Sequence, residues 1–134
     1  MFRIRHLLPQ GVLLLAMLSL LSAAQSATFP YTLYVAFQCD NGLTTQGYSV
    51  YVVGAQPELG SWDPAKAVKL APTSYPSWTG TITFTSAKPG DDVAWKCIVR
   101  NETDPTYVQM WQPGSDNHVV LAFSKTPPKS IGSF

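Results

Sequence analysis

From residue 33 to residue 123 the chain alternates apolar and polar residues in short runs, with turn-forming residues between them. Leu33, Val35, Phe37 and Cys39 share one face of a first run, which predicts a strand ended by Asp40-Asn41-Gly42. Tyr48 to Val53 predicts a second strand. It breaks abruptly at Gly54-Ala55-Gln56-Pro57-Glu58-Leu59-Gly60-Ser61-Trp62, where the glycines and the proline predict an ordered turn that ends on an indole. Asp63 to Lys66 suits one helical turn, and Ala67 to Leu70 a short strand. Ala71 to Ser77 reads as a loop, because Pro72 and Pro76 exclude a central strand. In Trp78 to Thr85, Trp78, Gly80, Ile82 and Phe84 oppose Thr79, Thr81, Thr83 and Thr85. Val93 to Arg100 puts Val93, Trp95, Cys97 and Val99 on one face and Lys96 on the other. Tyr107 to Trp111 and His118 to Phe123 are the last strands, separated by a Pro/Gly turn, Gln112 to Asn117. Ser124 to Phe134, with Thr126-Pro127-Pro128, reads as a loose tail. About 7–8 short strands and no long helix predict an all-β chain folded as an antiparallel sandwich.

The beginning of the chain is of another kind. Arg3, Arg5 and His6 precede an apolar run from Leu7 to Leu21, and Ser22 to Ala27 are mostly small. That is the layout of a secretory signal peptide. A membrane anchor needs about 20 apolar residues, and this run is shorter and contains Pro9. The expected organisation is a signal peptide at 1–27, one module at 28–123 and the tail at 124–134, with the mature protein secreted to the extracellular space or a periplasm and not held by the membrane. Of nine Lys and Arg, two leave with the signal, so seven face eight Asp and Glu. So small a charge gives no footprint for nucleic acid. Export also bears on Cys39 and Cys97, both in phase with apolar strand faces, which read as one disulfide. His118 is the one histidine beyond the signal and no cysteine pair has metal-ligand spacing, so no metal is expected.

Little in the sequence suggests catalysis. The carboxylates (Asp40, Glu58, Asp63, Asp91, Asp92, Glu102, Asp104, Asp116) sit nearly all at turns, and no nucleophile elbow or glycine-rich phosphate loop is present. A non-enzyme without cofactors is expected. The aromatics say more. Trp62 and Trp111 lie beside turns, each followed by a polar segment with a proline, whereas Trp78 and Trp95 belong to strand alternations. An indole offers a flat apolar face with a polar handle. A sugar ring offers a patch of C–H bonds rimmed by hydroxyls, so the two stack.

Two groups of segments resemble a known family. Gly47-Tyr48-Ser49-Val50-Tyr51-Val52-Val53-Gly54 with Pro57-Glu58-Leu59-Gly60-Ser61-Trp62, and Trp95-Lys96-Cys97-Ile98-Val99-Arg100-Asn101-Glu102 with Trp111-Gln112-Pro113-Gly114-Ser115-Asp116-Asn117, resemble the starch-binding domain of carbohydrate-binding module family 20. Cys39-Asp40-Asn41-Gly42 and Trp95-Lys96-Cys97 are similar to segments of the C-terminal domain of bacterial maltotetraose-forming amylases. The resemblance runs from about Val35 to Leu121 and implies an Ig-like antiparallel sandwich or open-sided barrel.

It also implies two glucan sites. In the first, Trp62 and Trp111 form a stacking platform, with Lys96, Gln112 and Asn117 bonding hydroxyls; Gln112 stands where the family often has an acid. In the second, Tyr75 and Trp78 grip the glucan, with Gln46 where a further aromatic is often found. The implied partners are starch, glycogen, maltooligosaccharides or cyclodextrin, bound by a monomer, with a separate amylase as a functional companion. The alternative is a secreted interaction protein that reuses the sandwich for a protein or a host glycan. A third reading, a remnant of an amylase, is disfavoured by a signal that directly abuts the module.

Overall fold

The computed structural model describes residues 33–134. The signal peptide expected at 1–27 and the first module residues, 28–32, lie outside the described residues. Nine strands follow in order: β1 (Leu33–Asp40), β2 (Tyr48–Gly54), β3 (Val68–Lys69), β4 (Ala71–Ser74), β5 (Ser77–Phe84), β6 (Asp92–Asn101), β7 (Val108–Trp111), β8 (Asn117–Val120) and β9 (Lys129–Ser133). They form a four-stranded sheet ordered β4-β5-β1-β9 and a five-stranded sheet ordered β3-β2-β6-β7, with β8 also on β6. The expected all-β sandwich is therefore present.

Two stretches differ from the expectation. Ala71–Ser74, read as loop, is the edge strand β4, fully exposed. Pro72 is tolerated there because an edge strand leaves one row of its backbone groups unpaired. Residues 124–134, read as a loose tail, contain β9, which runs parallel to β1 from Ala36↔Lys129 to Asp40↔Ser133. Its inward residues are Ser130 and Gly132, both buried. Side chains so small carry no hydrophobic signal, and the outward Ile131 suggests the wrong face.

The inner faces of the sheets enclose the core. Trp95, wholly buried, stands edge-on to Phe37 at 4.9 Å between ring centres, and its Nε1–H donates to Ser130 Oγ at 2.9 Å. The expected Cys39–Cys97 disulfide is formed, joining β1 of one sheet to β6 of the other across a separation of 58 residues. A loop of that length stabilises by roughly 4 kcal/mol in the chain-entropy model. Gly132 crosses directly over this region: a Cβ there would lie 2.6 Å from Asn117 Nδ2 and 3.0 Å from Cys97 Sγ. Only glycine permits so close an approach.

The outer face of the five-stranded sheet is covered too. Tyr51, Val53 and Ile98 form a second apolar cluster against which Ala67 and Val108 pack. The cover is the connection from β2 to β3. Leu59, in its first 3-10 turn (Pro57–Leu59), is buried in the main core. Glu58 reaches the end of β5, where one carboxylate oxygen accepts from the amides of Thr85 (2.9 Å) and Ser86 (2.8 Å) and the other from Ser86 Oγ (2.8 Å). Burial pushes the Glu58 pKa up, but the Ser86 and Thr85 hydrogen bonds outweigh it and hold the carboxyl below its ordinary value. Asp40 is lowered likewise, by hydrogen bonds from Ser77 and then Gln38.

Two tests follow from this packing. Ser130→Ala leaves the Trp95 indole N–H buried without a partner, which costs roughly 1–3 kcal/mol; thermal melts should register a drop of several degrees, and an unchanged Tm would contradict the assignment. The lowered carboxylates set the acid limb. The unfolded chain takes up their protons first, so their stabilisation is complete above about pH 5 and is lost as pH falls through the ordinary carboxylate range toward the lower folded values. Denaturant titrations between pH 6 and 2 should show that loss, and Glu58→Gln should flatten it.

Candidate functional site

The residues after β2 are forced into an unusual backbone. Gly60, Ser61 and Trp62 all have positive φ (83°, 51° and 65°). For Ser61 and Trp62 this costs on the order of 1–3 kcal/mol each, and surrounding bonds must hold it. The Trp62 amide donates to the Gly54 carbonyl at 2.8 Å, which closes the loop on the end of β2. Asp63 then caps a second 3-10 turn, Pro64–Lys66, by accepting from the Ala65 amide. Trp62 is left 36 % exposed.

Trp111 closes β7. It pairs with Ile98, whose side chain belongs to the outer cluster, so its indole is on the outer face and is 42 % exposed. Gly54 pairs with Trp95 and the Gln112 amide donates to the Cys97 carbonyl. Trp111, on β7, and Trp62, in the connection tied back to the end of β2, are therefore both carried beside the Trp95–Ile98 segment of β6, on whose outer face Lys96 also lies.

The three polar residues expected at this site are engaged with the protein. Lys96 Nζ donates to the carbonyls of Gln112 (3.1 Å), Gly114 (2.5 Å) and Ser115 (3.3 Å), and stands 4.0 Å from Asp116 Oδ1. An ammonium has three donors, so Lys96 lashes down the turn after Trp111. Gln112 is buried. Its Oε1 accepts from the Cys97 amide (3.0 Å) and from Asn117 Nδ2 (2.7 Å), while its Nε2 donates to Asn117 Oδ1 (2.9 Å). A neutral amide suits this reciprocal pair, since a carboxylate has no N–H to give back. These contacts make Gln112 and Asn117 a brace behind Trp111.

The second group lies at the opposite end of β2. That strand has seven residues, so roughly 20 Å separates its ends. The Tyr75 hydroxyl accepts from the Thr44 amide (3.1 Å), and Trp78 Nε1 donates to the Gly42 carbonyl (2.8 Å). The ring planes of Tyr75 and Trp78 are steeply inclined, with 6.3 Å between centres. Tyr75 is 53 % exposed but Trp78 only 4 %, within the main core. Trp78 thus supports the loop from below and does not offer a free face. Gln46 is exposed in the β1–β2 connection. Leu43, an isolated leucine in this polar turn, is 69 % exposed and next to the Thr44 whose amide donates to Tyr75.

Likeness to known proteins follows the same boundaries. The family model described as starch binding domain matches residues 32–130. Over 89 residues the chain is 51 % identical to a glucan 1,4-alpha-maltotetraohydrolase of Roseateles saccharophilus, which covers 66 % of this chain and 16 % of that protein. A cyclomaltodextrin glucanotransferase of Klebsiella oxytoca is 44 % identical over 97 residues, 72 % of this chain and 14 % of its own. The chain thus spans about a sixth or less of the length of these relatives. Among solved structures, the family 20 carbohydrate-binding module of the maltotetraose-forming amylase from Pseudomonas saccharophila STB07 superposes with a TM-score of 0.68 at 46 % identity, over 76 % of this chain and all of that one. With its two-sheet fold and this match along most of its length, the chain belongs to the family of starch-binding domains.

Proposed function

We propose that this chain is a non-catalytic α-glucan-binding module, exported by residues 1–27 and active as a monomer. It takes starch, glycogen, maltooligosaccharides or cyclodextrins by stacking sugar rings on aromatic side chains. The observation that carries this reading is the pair of half-exposed indoles beside β6, Trp111 on β7 and Trp62 in the connection tied to the end of β2. Folding usually hides such surface, and exposed aromatic area of this kind is a mark of interaction. A hydroxyl reaching Lys96 or Asn117 shares or replaces an existing partner, so affinity at this first site rests mainly on the indoles. Tyr75, with Gln46 and Leu43 nearby in sequence on the facing connection, forms the second site, and Trp78 supports it. On a granule two weak sites reinforce each other through effective concentration. Enzymatic attack on the loosened surface falls to a separate amylase.

Retention of the pure protein on insoluble starch tests the reading directly; a chain that stays in the supernatant and shows no tryptophan quenching with β-cyclodextrin refutes it. Trp62→Ala or Trp111→Ala should weaken first-site binding by roughly 2 kcal/mol, about thirtyfold in Kd, with little change in unfolding midpoint. The second site separates two roles. Tyr75→Ala should reduce second-site binding in a stable protein, whereas Trp78→Ala should cost roughly 3–5 kcal/mol of stability, visible in urea titrations without sugar.

A further inference from the structure

The connection that carries Trp62 is fastened over the outer face of the five-stranded sheet by a cation. Arg100 pairs with Ser49 across β6 and β2 and is buried, although none of the ion pairs among the described residues includes it. Its guanidinium carbon lies 3.7 Å from the centre of the Tyr51 ring. From that seat Nη1 donates to the Pro64 carbonyl at 2.9 Å and stands 3.5 Å from that of Ala65, while Nε donates to the Asn101 carbonyl at 3.3 Å.

A buried cation without a counter-ion is a costly filling for an apolar face, and methionine or leucine would cover Tyr51 without that cost. What neither supplies is a rigid fork of donors aimed at backbone carbonyls. The carbonyls in question follow Trp62 by two and three residues. Upstream the same connection is held by Leu59 and Glu58. Between these fastenings lie Gly60, Ser61 and Trp62, in backbone conformations that a free chain leaves. The downstream fastening is Arg100.

We propose that Arg100, seated on Tyr51, is the positioning residue of the first α-glucan site. It holds the Trp62 indole in the pose that stacks on sugar without touching the sugar itself. This rests on the reading of Trp62 as a glucan platform. A platform held before the ligand arrives avoids the ordering cost at binding, so losing the clamp should appear as lost affinity at this site alone.

The experiment is a cycle with β-cyclodextrin as the probe, read by calorimetry. Arg100→Met and Arg100→Lys are placed in a Tyr75→Ala background, where the first site remains, and in a Trp62→Ala background, where the second remains. With Tyr75→Ala, Arg100→Met should weaken binding on the order of tenfold, and Arg100→Lys should recover part of the loss. With Trp62→Ala, Arg100→Met should change nothing. Amide hydrogen exchange of unliganded Arg100→Met should speed up at Trp62, Ala65, Lys66 and Ala67. An unchanged Kd in the Tyr75→Ala background overturns the proposal, and so does an equal loss in both backgrounds, which marks a general loosening of the fold. If Arg100→Met does not fold, Tyr51→Leu removes the seat instead and carries the same expectation. Absence of binding by the unsubstituted chain is a separate result: it overturns the glucan reading, and the clamp's role with it.

Discussion

β6 is a strand that must be covered on both faces, and the arrangement of the molecule follows from that. Its inner side chains, Val93, Trp95, Cys97 and Val99, pack against the other sheet. Its outer ones, Ile98 and Arg100, would meet water if nothing lay over them, as would Tyr51 and Val53 of the neighbouring strand. Among the described residues there is no α-helix to lay there. It uses the long connection between β2 and β3, and a connection folded flat against a sheet needs tight turns to return. Those turns bring Trp62 to the surface. The exposure of this indole is thus a by-product of covering the sheet.

The other indole is held by a different means. Trp111 ends a strand whose partner, β6, goes on to pair with β8 after an irregular stretch. The gap is closed by side chains standing in for backbone: Gln112 accepts from the Cys97 amide, and Lys96 collects three carbonyls of the turn. Polar residues that suit a ligand also suit the protein, because the same hydrogen-bonding capacity serves either purpose. Sequence reports the capacity and not its direction.

Most of the fold was legible because β1, β5 and β6 alternate cleanly and their turns carry Gly, Pro, Asn and Asp where turns need them. The disulfide was legible from export and from phase together, since the two cysteines beyond the signal, Cys39 and Cys97, each fall on an inward face. What was not legible has one cause, namely contacts that leave no apolar signature. β9 packs through serine and glycine, and Arg100 works through its donors. The apolar run Val50-Tyr51-Val52-Val53 did hold a clue to the covered outer face, for a strand apolar on both sides is buried on both sides. Trp62 and Trp111 are singled out by sequence because they stand beside turns, and both are exposed. Trp78 was placed in the ligand's path because its immersion depends on Gly42, which comes from another segment.

The close passage of Gly132 over the disulfide ties redox chemistry to the end of the chain. Both sulfurs are fully shielded, with β9 lying across Cys97. Thiol–disulfide exchange needs a thiolate to reach a sulfur, so a reductant must wait until the last strand lifts from β1. Edge strands are among the elements that open locally without global unfolding. The lifetime of the Cys39–Cys97 bond in excess reductant is therefore a clock for the detachment of β9.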